Sequence, residues 1–173
     1  MSSEKRHEYF MEIALQEAGD ALSAGEFPVG CVAVYNDEVV ARGRRINSRL
    51  QGRNELDHAE LCCLRQLSES RQGIDLARVT FYSTFEPCLM CYGALLINQV
   101  DSVVYSYEDA MGGGTSLNLS HLPIFYRSQE TEIVPFILRE KSLALFKEFF
   151  SSSDSSYLKD TYLARYTLGL LDA

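Results

Sequence analysis

The chain has 173 residues, of which 46% are hydrophobic and 23% charged, so it is long enough for one domain with a self-sustaining core. A formal net charge of −8 and an isoelectric point near 4.9 argue against a general affinity for polyanions, although a local basic patch is still compatible with them. No membrane-length apolar run and no apolar signal segment occur, which predicts a cytoplasmic protein with no membrane association.

The chain pattern alternates helices and strands over a single domain that covers residues 1–173. The N-terminal segment has apolar residues at helical spacing, and two β-branched runs then flank the turn-forming pair Asn36-Asp37. Further elements follow in the order helix, strand, helix, strand, short strand, helix, helix. The predicted ranges are 7–24, 27–43 (a hairpin), 58–70, 78–84, 87–99, 102–107, 131–136, 139–150 and 156–171. This order predicts a mixed sheet with helices on both faces.

Two of the five cysteines form a Cys-x-x-Cys motif directly after Pro87. An odd number of cysteines argues against a disulfide framework. Cys88 and Cys91 lie three residues apart at the start of a predicted helix, so their side chains share one face. The positive end of the helix dipole favours their thiolate forms. By itself this pair is compatible with metal binding, a redox dithiol or core packing.

A second motif, Asp57-His58-Ala59-Glu60, begins the preceding predicted helix. Asp57 and Glu60 alone imitate a capping box, in which both side chains satisfy backbone groups at the helix start. A capping box, however, requires neither the histidine nor a later Pro-Cys-x-x-Cys. One imidazole and two thiolates would leave the fourth position of a tetrahedral zinc ion open, which is typical of catalytic zinc sites.

His-x-Glu followed by Pro-Cys-x-x-Cys resembles the signature of zinc-dependent nucleobase deaminases. Over residues 7–150, approximately, the chain is similar to the cytidine-deaminase-like superfamily. It most resembles the branch that holds bacterial tRNA adenosine deaminases, cytosine deaminases and guanine deaminases. The segments that carry this similarity are FPVGCVAV, TFEPCLMCYGA and EDAMGGGTSL.

This resemblance implies a three-layer α/β/α sandwich with a five-stranded mixed sheet, usually assembled as a homodimer. It implies that Zn²⁺ is bound by three residues, His58, Cys88 and Cys91. It also implies that Glu60 is the general acid and base, and that the side-chain amide of Asn47 contacts the target base. Asp109, in the segment after the fourth strand, is a further candidate for substrate binding.

Charge gives conflicting indications about the substrate. Between Arg78 and Arg127 there is no Lys or Arg, and Met111 stands where the tRNA deaminases that the chain resembles commonly carry lysine. In contrast, five arginines crowd the stretch before the zinc-binding histidine: Arg42, Arg44, Arg45, Arg49 and Arg53. Either they belong to a solvated loop and pair with carboxylates, or they form a phosphate clamp in which Arg45 and Arg49 contact substrate.

The sequence therefore predicts a zinc-dependent hydrolytic deaminase that removes an exocyclic amine from a nucleobase, free or within a nucleoside or nucleotide. A first alternative is a tRNA-specific wobble adenosine deaminase that binds the anticodon loop. A second alternative is a non-catalytic zinc- or RNA-binding relative. Residues 151–173 are expected to form a helical extension that covers the substrate or contributes to a dimer contact.

Overall fold

The computed structural model describes residues 2–70, 73–153 and 156–170. Within these residues no helix is both long enough and apolar enough to cross a membrane. The helices are α1 (Ser3–Ser23), α2 (Ala59–Glu69), α3 (Leu89–Ile97), α4 (Ile124–Arg127), α5 (Arg139–Ser151) and α6 (Tyr162–Leu168). The strands are β1 (Gly30–Tyr35), β2 (Glu38–Arg44), β3 (Thr80–Phe85), β4 (Ser102–Tyr107) and β5 (Glu132–Val134).

The five strands form one mixed sheet in the order β2-β1-β3-β4-β5. β1 pairs antiparallel with both β2 and β3, whereas β3, β4 and β5 run parallel. The β1–β2 turn has φ of +51° at Asn36 and +62° at Asp37, which matches the twist of a tight hairpin. Because β3 and β4 are parallel, their carboxyl ends meet at one edge, the usual place for a ligand site in such sheets.

Alternate residues of the central strands pack into two separate cores. On β1, Val32 and Val34 pack against α1 residues such as Met11. Cys31 and Ala33 face the opposite core with α2 residues, of which Leu67 is one. This alternation of buried side chains requires a helix layer on each face. The predicted α/β/α sandwich with a five-stranded mixed sheet is therefore confirmed.

Helix α2 lies directly against the edge strand β2 at Gly43. A β-carbon at this position would lie only 2.8 Å from Cys63 Cβ on the helix, which leaves no room for a side chain. Cys63 is fully buried at this contact, where a free cysteine packs as a small apolar residue. Since His58 precedes α2 directly, this close packing also determines where the histidine stands relative to the sheet.

Three predicted helices differ by two or more residues from the observed ones at their N-termini. Helix α1 begins at Ser3, before the predicted start at residue 7. Pro87 does not occupy the first turn of α3, because Cys88 is extended (φ −66°, ψ 170°) and the helix begins at Leu89. In the C-terminal segment the helix begins only at Tyr162, after Leu158 adopts a left-handed conformation with φ of +56°. Residues 154, 155 and 171–173 of the predicted extension lie outside the described residues.

Candidate active site

The starts of α2 and α3 bring three potential metal ligands together. His58 is the N-cap residue of α2 and Cys88 that of α3, and neither side chain caps its own helix. Their extended backbones instead turn the imidazole and the thiol towards each other. Cys91, in the first turn of α3, is fully buried beside them. The sequence separation of 30 residues between His58 and Cys88 is bridged by the close packing of the two helix starts.

The spacing of these three side chains fits a zinc ion. His58 Nδ1 lies 3.6 Å from Cys88 Sγ and 3.5 Å from Cys91 Sγ, and all three ligand atoms lie within 4.8 Å of one another. Zinc–nitrogen and zinc–sulfur bonds of about 2.0 and 2.3 Å at tetrahedral angles place such atoms about 3.5 Å apart. The three residues therefore match a Cys₂His donor set in both chemistry and distance.

The electrostatics of the cluster favour the thiolate form of Cys88. A hydrogen bond from Cys91, followed by one with His58, lowers the pKa of Cys88 to about 4 against the effect of burial. The hydrogen bond with Cys88 raises the pKa of Cys91, and burial is the second cause. Burial acts to lower the pKa of His58, but its hydrogen bond with Cys88 and the nearby Glu60 raise it overall. A bound zinc ion would displace the protons that form the hydrogen bonds within the cluster, because thiolates and a neutral imidazole are the forms that bind the metal.

Glu60 lies next to this cluster without belonging to it. The residue is only 3% exposed, and its carboxylate accepts a hydrogen bond of 3.0 Å from Ser83 on β3. Burial raises the pKa of Glu60, so its protonated and ionised forms lie closer in energy than in an exposed glutamate. A carboxyl group in this condition is suited to accept and return a proton.

The capping-box alternative for the Asp57-His58-Ala59-Glu60 motif is not what the structure contains. The Asp57 carboxylate accepts hydrogen bonds of 2.8 Å from the side-chain amides of both Asn47 and Asn54. The bond from Asn47, the largest of several causes, lowers the pKa of Asp57. Asn47 itself is exposed with φ of +56°, and its side chain faces Asp57. It is not among the residues that line the cavity described next.

A cavity of about 310 Å³ opens beside the cluster. Its walls include His58, Glu60 and Cys88, and it is also lined by two other residues singled out in the sequence, Arg45 and Asp109. Much of the remaining lining is apolar: Phe27, Val29, Ala59, Phe85, Met111, Leu158 and Leu163. A small, mainly apolar pocket with a few convergent polar groups is typical of a site for a small ring system.

The glycine-rich segment after β4 is held against the start of α3. Asp109 Oδ1 accepts hydrogen bonds from the backbone of Met111 and Gly112, which closes a tight turn. The buried Glu86 carboxylate accepts from the backbone N–H of Asp109 at 3.1 Å. Gly113 lies directly against this carboxylate, and its strand-like bridge to Cys88 ties the segment to a candidate zinc ligand. The segment therefore forms a supported wall of the cavity.

Arg45 is a buried residue that supports another part of the cavity wall. Its side chain is 2% exposed, and its donors reach the carbonyl oxygens of Ile46 (2.9 Å) and Asn54 (2.7 Å) and the Glu55 carboxylate (2.9 Å). Its guanidinium carbon lies 5.6 Å from the centre of the Tyr157 ring. Arg45 thus lines the cavity while holding together the loop between β2 and α2.

Glu55 and Tyr157 are parts of the site that the sequence did not reveal. The Tyr157 hydroxyl donates to Glu55 at 2.8 Å across 102 residues of chain, and the same carboxylate lies 3.9 Å from His58 Nε2. No local motif marks either residue, since their meeting depends on where the C-terminal segment docks. That segment covers the cavity from above with Tyr157, Leu158 and Leu163.

The other arginines of the crowded stretch divide into paired and unpaired ones. Arg42 and Arg44 lie within 4 Å of Glu17, and Arg44 also bonds Asp20 at 2.6 Å. Arg53 lies 3.9 Å from Glu55. Arg49 is exposed and, among the described residues, has no carboxylate partner. Most arginines of this stretch therefore fit the interpretation that they pair with carboxylates.

Comparison with known proteins agrees with this geometry. Residues 4–107 match the family described as the zinc-binding region of cytidine and deoxycytidylate deaminases. The chain belongs to this deaminase family. It is 34% identical over 145 residues to a tRNA-specific adenosine deaminase of Bacillus subtilis (strain 168), a match that covers 83% of this chain and 88% of that protein. It is 33% identical over 153 residues to tRNA-specific adenosine deaminase 2 of Xenopus laevis, covering 84% and 86% respectively.

Solved structures of the deaminase family share the fold. One, from a study of A-to-I editing by tRNA:A34 deaminases at the wobble position of transfer RNA, aligns with a TM-score of 0.63 and 28% identity over 73% of this chain and 96% of that one. A guanine deaminase from Nitrosomonas europaea aligns with a TM-score of 0.65 over 86% and 84% of the two chains. Its identity of 19% shows similarity of fold alone. The predictions of a zinc-dependent hydrolytic deaminase and of Zn²⁺ as cofactor are confirmed.

Proposed function

We propose that this deaminase converts adenosine to inosine within transfer RNA, at a base turned out of its strand into the zinc cavity. The observation that carries this proposal is the buried Glu60 carboxylate beside the His58–Cys88–Cys91 cluster, inside a cavity of about 310 Å³. Relatives named for deamination of tRNA adenosine match most of both chains, which supports RNA as the substrate class. A base must leave its stack to reach such a cavity.

The proposed chemistry assigns each residue a separate task. Zinc held by His58, Cys88 and Cys91 supplies Lewis acidity that lowers the pKa of a water molecule towards neutral. Glu60 accepts one proton from the attacking water and delivers it to the ring nitrogen N1. It then takes the remaining proton of the added hydroxyl group and passes it to the departing 6-amino group. Ser83 holds the Glu60 carboxylate in place for these transfers. Ammonia leaves, and the ring carbon keeps the oxygen.

The mechanism is tested by replacing the proton carrier while preserving its shape. Glu60→Gln in zinc-loaded protein should reduce ammonia release by at least about a thousandfold, since general acid and base catalysis alone contributes about 10²–10⁴ and Glu60 serves in both roles. Zinc content, measured by atomic absorption, should stay unchanged because Glu60 is proposed as no ligand. A variant that kept the parental rate with full zinc occupancy would contradict the assignment.

A second candidate function is deamination of a free nucleobase or nucleoside. The scarcity of cations favours it: no Lys or Arg occurs between Arg78 and Arg127, and Met111 at the cavity is exposed. If RNA is the substrate, two exposed arginines of the loop between β2 and α2, Arg49 and Arg53, are proposed to contact its phosphates. The logarithm of RNA affinity should then fall against the logarithm of salt concentration with a shallow slope of about −1.4, for two contacts to a single strand.

A substrate panel separates the two candidates. Zinc-loaded protein is given an anticodon stem-loop with adenosine at the wobble position, and separately adenosine, cytosine and guanine. Deamination confined to the stem-loop supports the RNA proposal, whereas rapid turnover of a free base refutes it. Asn47→Ala belongs in the same panel. Asn47 and Asp109 are proposed as substrate contacts on the family resemblance, and loss of turnover without loss of zinc would support them.

We also propose that the protein forms a homodimer through α3. Leu89, Met90 and Ile97 are 60%, 37% and 55% exposed and share one face of this helix. A contiguous exposed apolar surface is typical of a protein interface. Because Leu89 follows the ligand Cys88, the partner would lie close to the cavity. Sedimentation should give a dimeric parent and a monomeric Ile97→Asp variant, and a monomeric parent would contradict the proposal.

A further inference from the structure

The ring nitrogen of His58 that does not face the thiols lies near a carboxylate. Nδ1 of this imidazole is 3.6 and 3.5 Å from the two cysteine sulfurs, so Nε2 is the nitrogen left free. Glu55 Oε2 lies 3.9 Å from Nε2. When an imidazole binds a metal through one nitrogen, the other carries a proton, and an acceptor beside it fixes the ring and increases its basicity. The position of the Glu55 carboxylate therefore affects how strongly His58 binds zinc.

Two donors from different parts of the chain fix that carboxylate oxygen. The Glu55 side chain is 54% exposed, and a glutamate so exposed would otherwise move among several rotamers. Arg45 donates to Oε2 at 2.9 Å, and the Tyr157 hydroxyl donates to the same oxygen at 2.8 Å. Arg45 belongs to the same loop as Glu55. Tyr157 approaches from the C-terminal segment, 102 residues further along the chain, so the orientation of the carboxylate depends on where that segment docks.

The ring and the hydroxyl of Tyr157 make separate contacts. The ring packs edge-on against Phe27 with centres 5.2 Å apart, and the guanidinium carbons of Arg45 and Arg53 lie 5.6 and 5.1 Å from its centre. These contacts place the ring and do not require the hydroxyl. Burial, followed by the hydrogen bond with Glu55, raises the pKa of Tyr157, so the hydroxyl keeps its proton and acts as the donor. Packing of the ring thus sets the position of this donor.

We infer that Tyr157 is a positioning residue for the metal site: its hydroxyl keeps the Glu55 carboxylate beside His58 Nε2 and thereby strengthens zinc binding. The same C-terminal segment covers the zinc cavity with Leu158 and Leu163. Covering of the cavity and retention of the metal then depend on one docked element. The inference concerns the zinc site alone, and it is independent of which amine the deaminase removes.

The inference is tested by measuring zinc affinity, with zinc-loaded protein equilibrated against a chromogenic chelator at neutral pH. Tyr157→Phe removes the hydroxyl and keeps the packed ring. It should weaken zinc binding about fivefold, less than the tenfold or more that is usual when the group beside a metal ligand is itself lost. Glu55→Gln should weaken it about tenfold. The double variant should also be weaker by about tenfold rather than about fiftyfold, because the hydroxyl acts only through the carboxylate.

Tyr166→Phe is the matched control. It removes a hydroxyl from the same C-terminal segment, where Tyr166 donates to Glu108 at 2.6 Å, and neither residue lines the zinc cavity. Its zinc affinity should stay within about 1.5-fold of the parent, since it shares no partner with Glu55. Parental affinity in Tyr157→Phe, an equal loss in Tyr166→Phe, or losses that multiply in the double variant would refute the inference. Substrate choice is scored separately as ammonia release, so a failure of the RNA proposal is distinguishable from a failure here.

Discussion

The close contact between Gly113 and Glu86 should determine the shape of one wall of the zinc cavity. A β-carbon on Gly113 would stand within 2.6 Å of Glu86 Oε1. Glu86 has no room to retreat, because it is 7% exposed and accepts hydrogen bonds from the backbone N–H groups of Asp109 (3.1 Å) and Thr115 (3.3 Å). Gly113→Ala must therefore displace either the carboxylate or the segment that contains Asp109.

The size of this effect follows from the contacts that are lost. Overpacking in a tight site costs about 1–3 kcal/mol. Displacement of Glu86 adds the loss of at least one hydrogen bond to a charged group, which contributes about 1.5–3 kcal/mol. Partial relaxation should leave a net loss of about 2–4 kcal/mol, or about 5–15 °C in Tm for a chain of this size. Turnover should fall as well, because the displaced wall adjoins Cys88.

The measurements are urea unfolding with zinc held constant, and ammonia release with the best substrate of the panel. Gly19→Ala provides the control, since this glycine lies inside α1 and a β-carbon there would meet nothing within 4 Å. That variant should be more stable than the parent by about 0.5–1 kcal/mol, through helix propensity alone. If Gly113→Ala matched the parent in both stability and turnover, the tight Glu86 pocket and its support of the active site would be refuted.

Two further predictions concern charged groups around the site. Burial acts to raise the pKa of Glu108, but hydrogen bonds from Arg139 and Tyr166 lower it overall. A lowered folded-state pKa stabilises the fold above the ordinary value of 4.5, and this contribution is lost as the pH falls through the folded-state value. Arg139→Gln should therefore be less stable by about 1–2 kcal/mol at pH 7. In urea titrations the free energies of unfolding of variant and parent should converge at about pH 3, and a constant difference would contradict this. Glu55→Gln should weaken zinc binding about tenfold in competition with a chromogenic chelator, because this carboxylate faces His58 Nε2 at 3.9 Å. Unchanged zinc affinity would show that Glu55 does not support the ligand.

The candidate metal ligands could be named from the sequence because each lies in a short local motif. Cys88 and Cys91 lie in one turn of chain at a helix start, and Glu60 follows His58 by two residues, so the signature of the deaminase family can be recognised in short segments of sequence. The layer order was accessible for a similar reason, since the alternation of buried residues on β1 requires a helix on each face. Such patterns depend on neighbours along the chain and survive without knowledge of distant contacts.

Only the tertiary structure decided what surrounds those ligands. Arg45, a candidate phosphate contact in the sequence, donates instead to its own loop and to Glu55. The Asn47 amide is held by Asp57, and Tyr157 reaches Glu55 from the far end of the chain. A long polar side chain can reach many partners, and which one it meets depends on how separate elements dock. The sequence by itself therefore determined the candidate zinc-binding cluster and its neighbouring carboxylate, whereas packing between remote segments determined the walls of the cavity beside them.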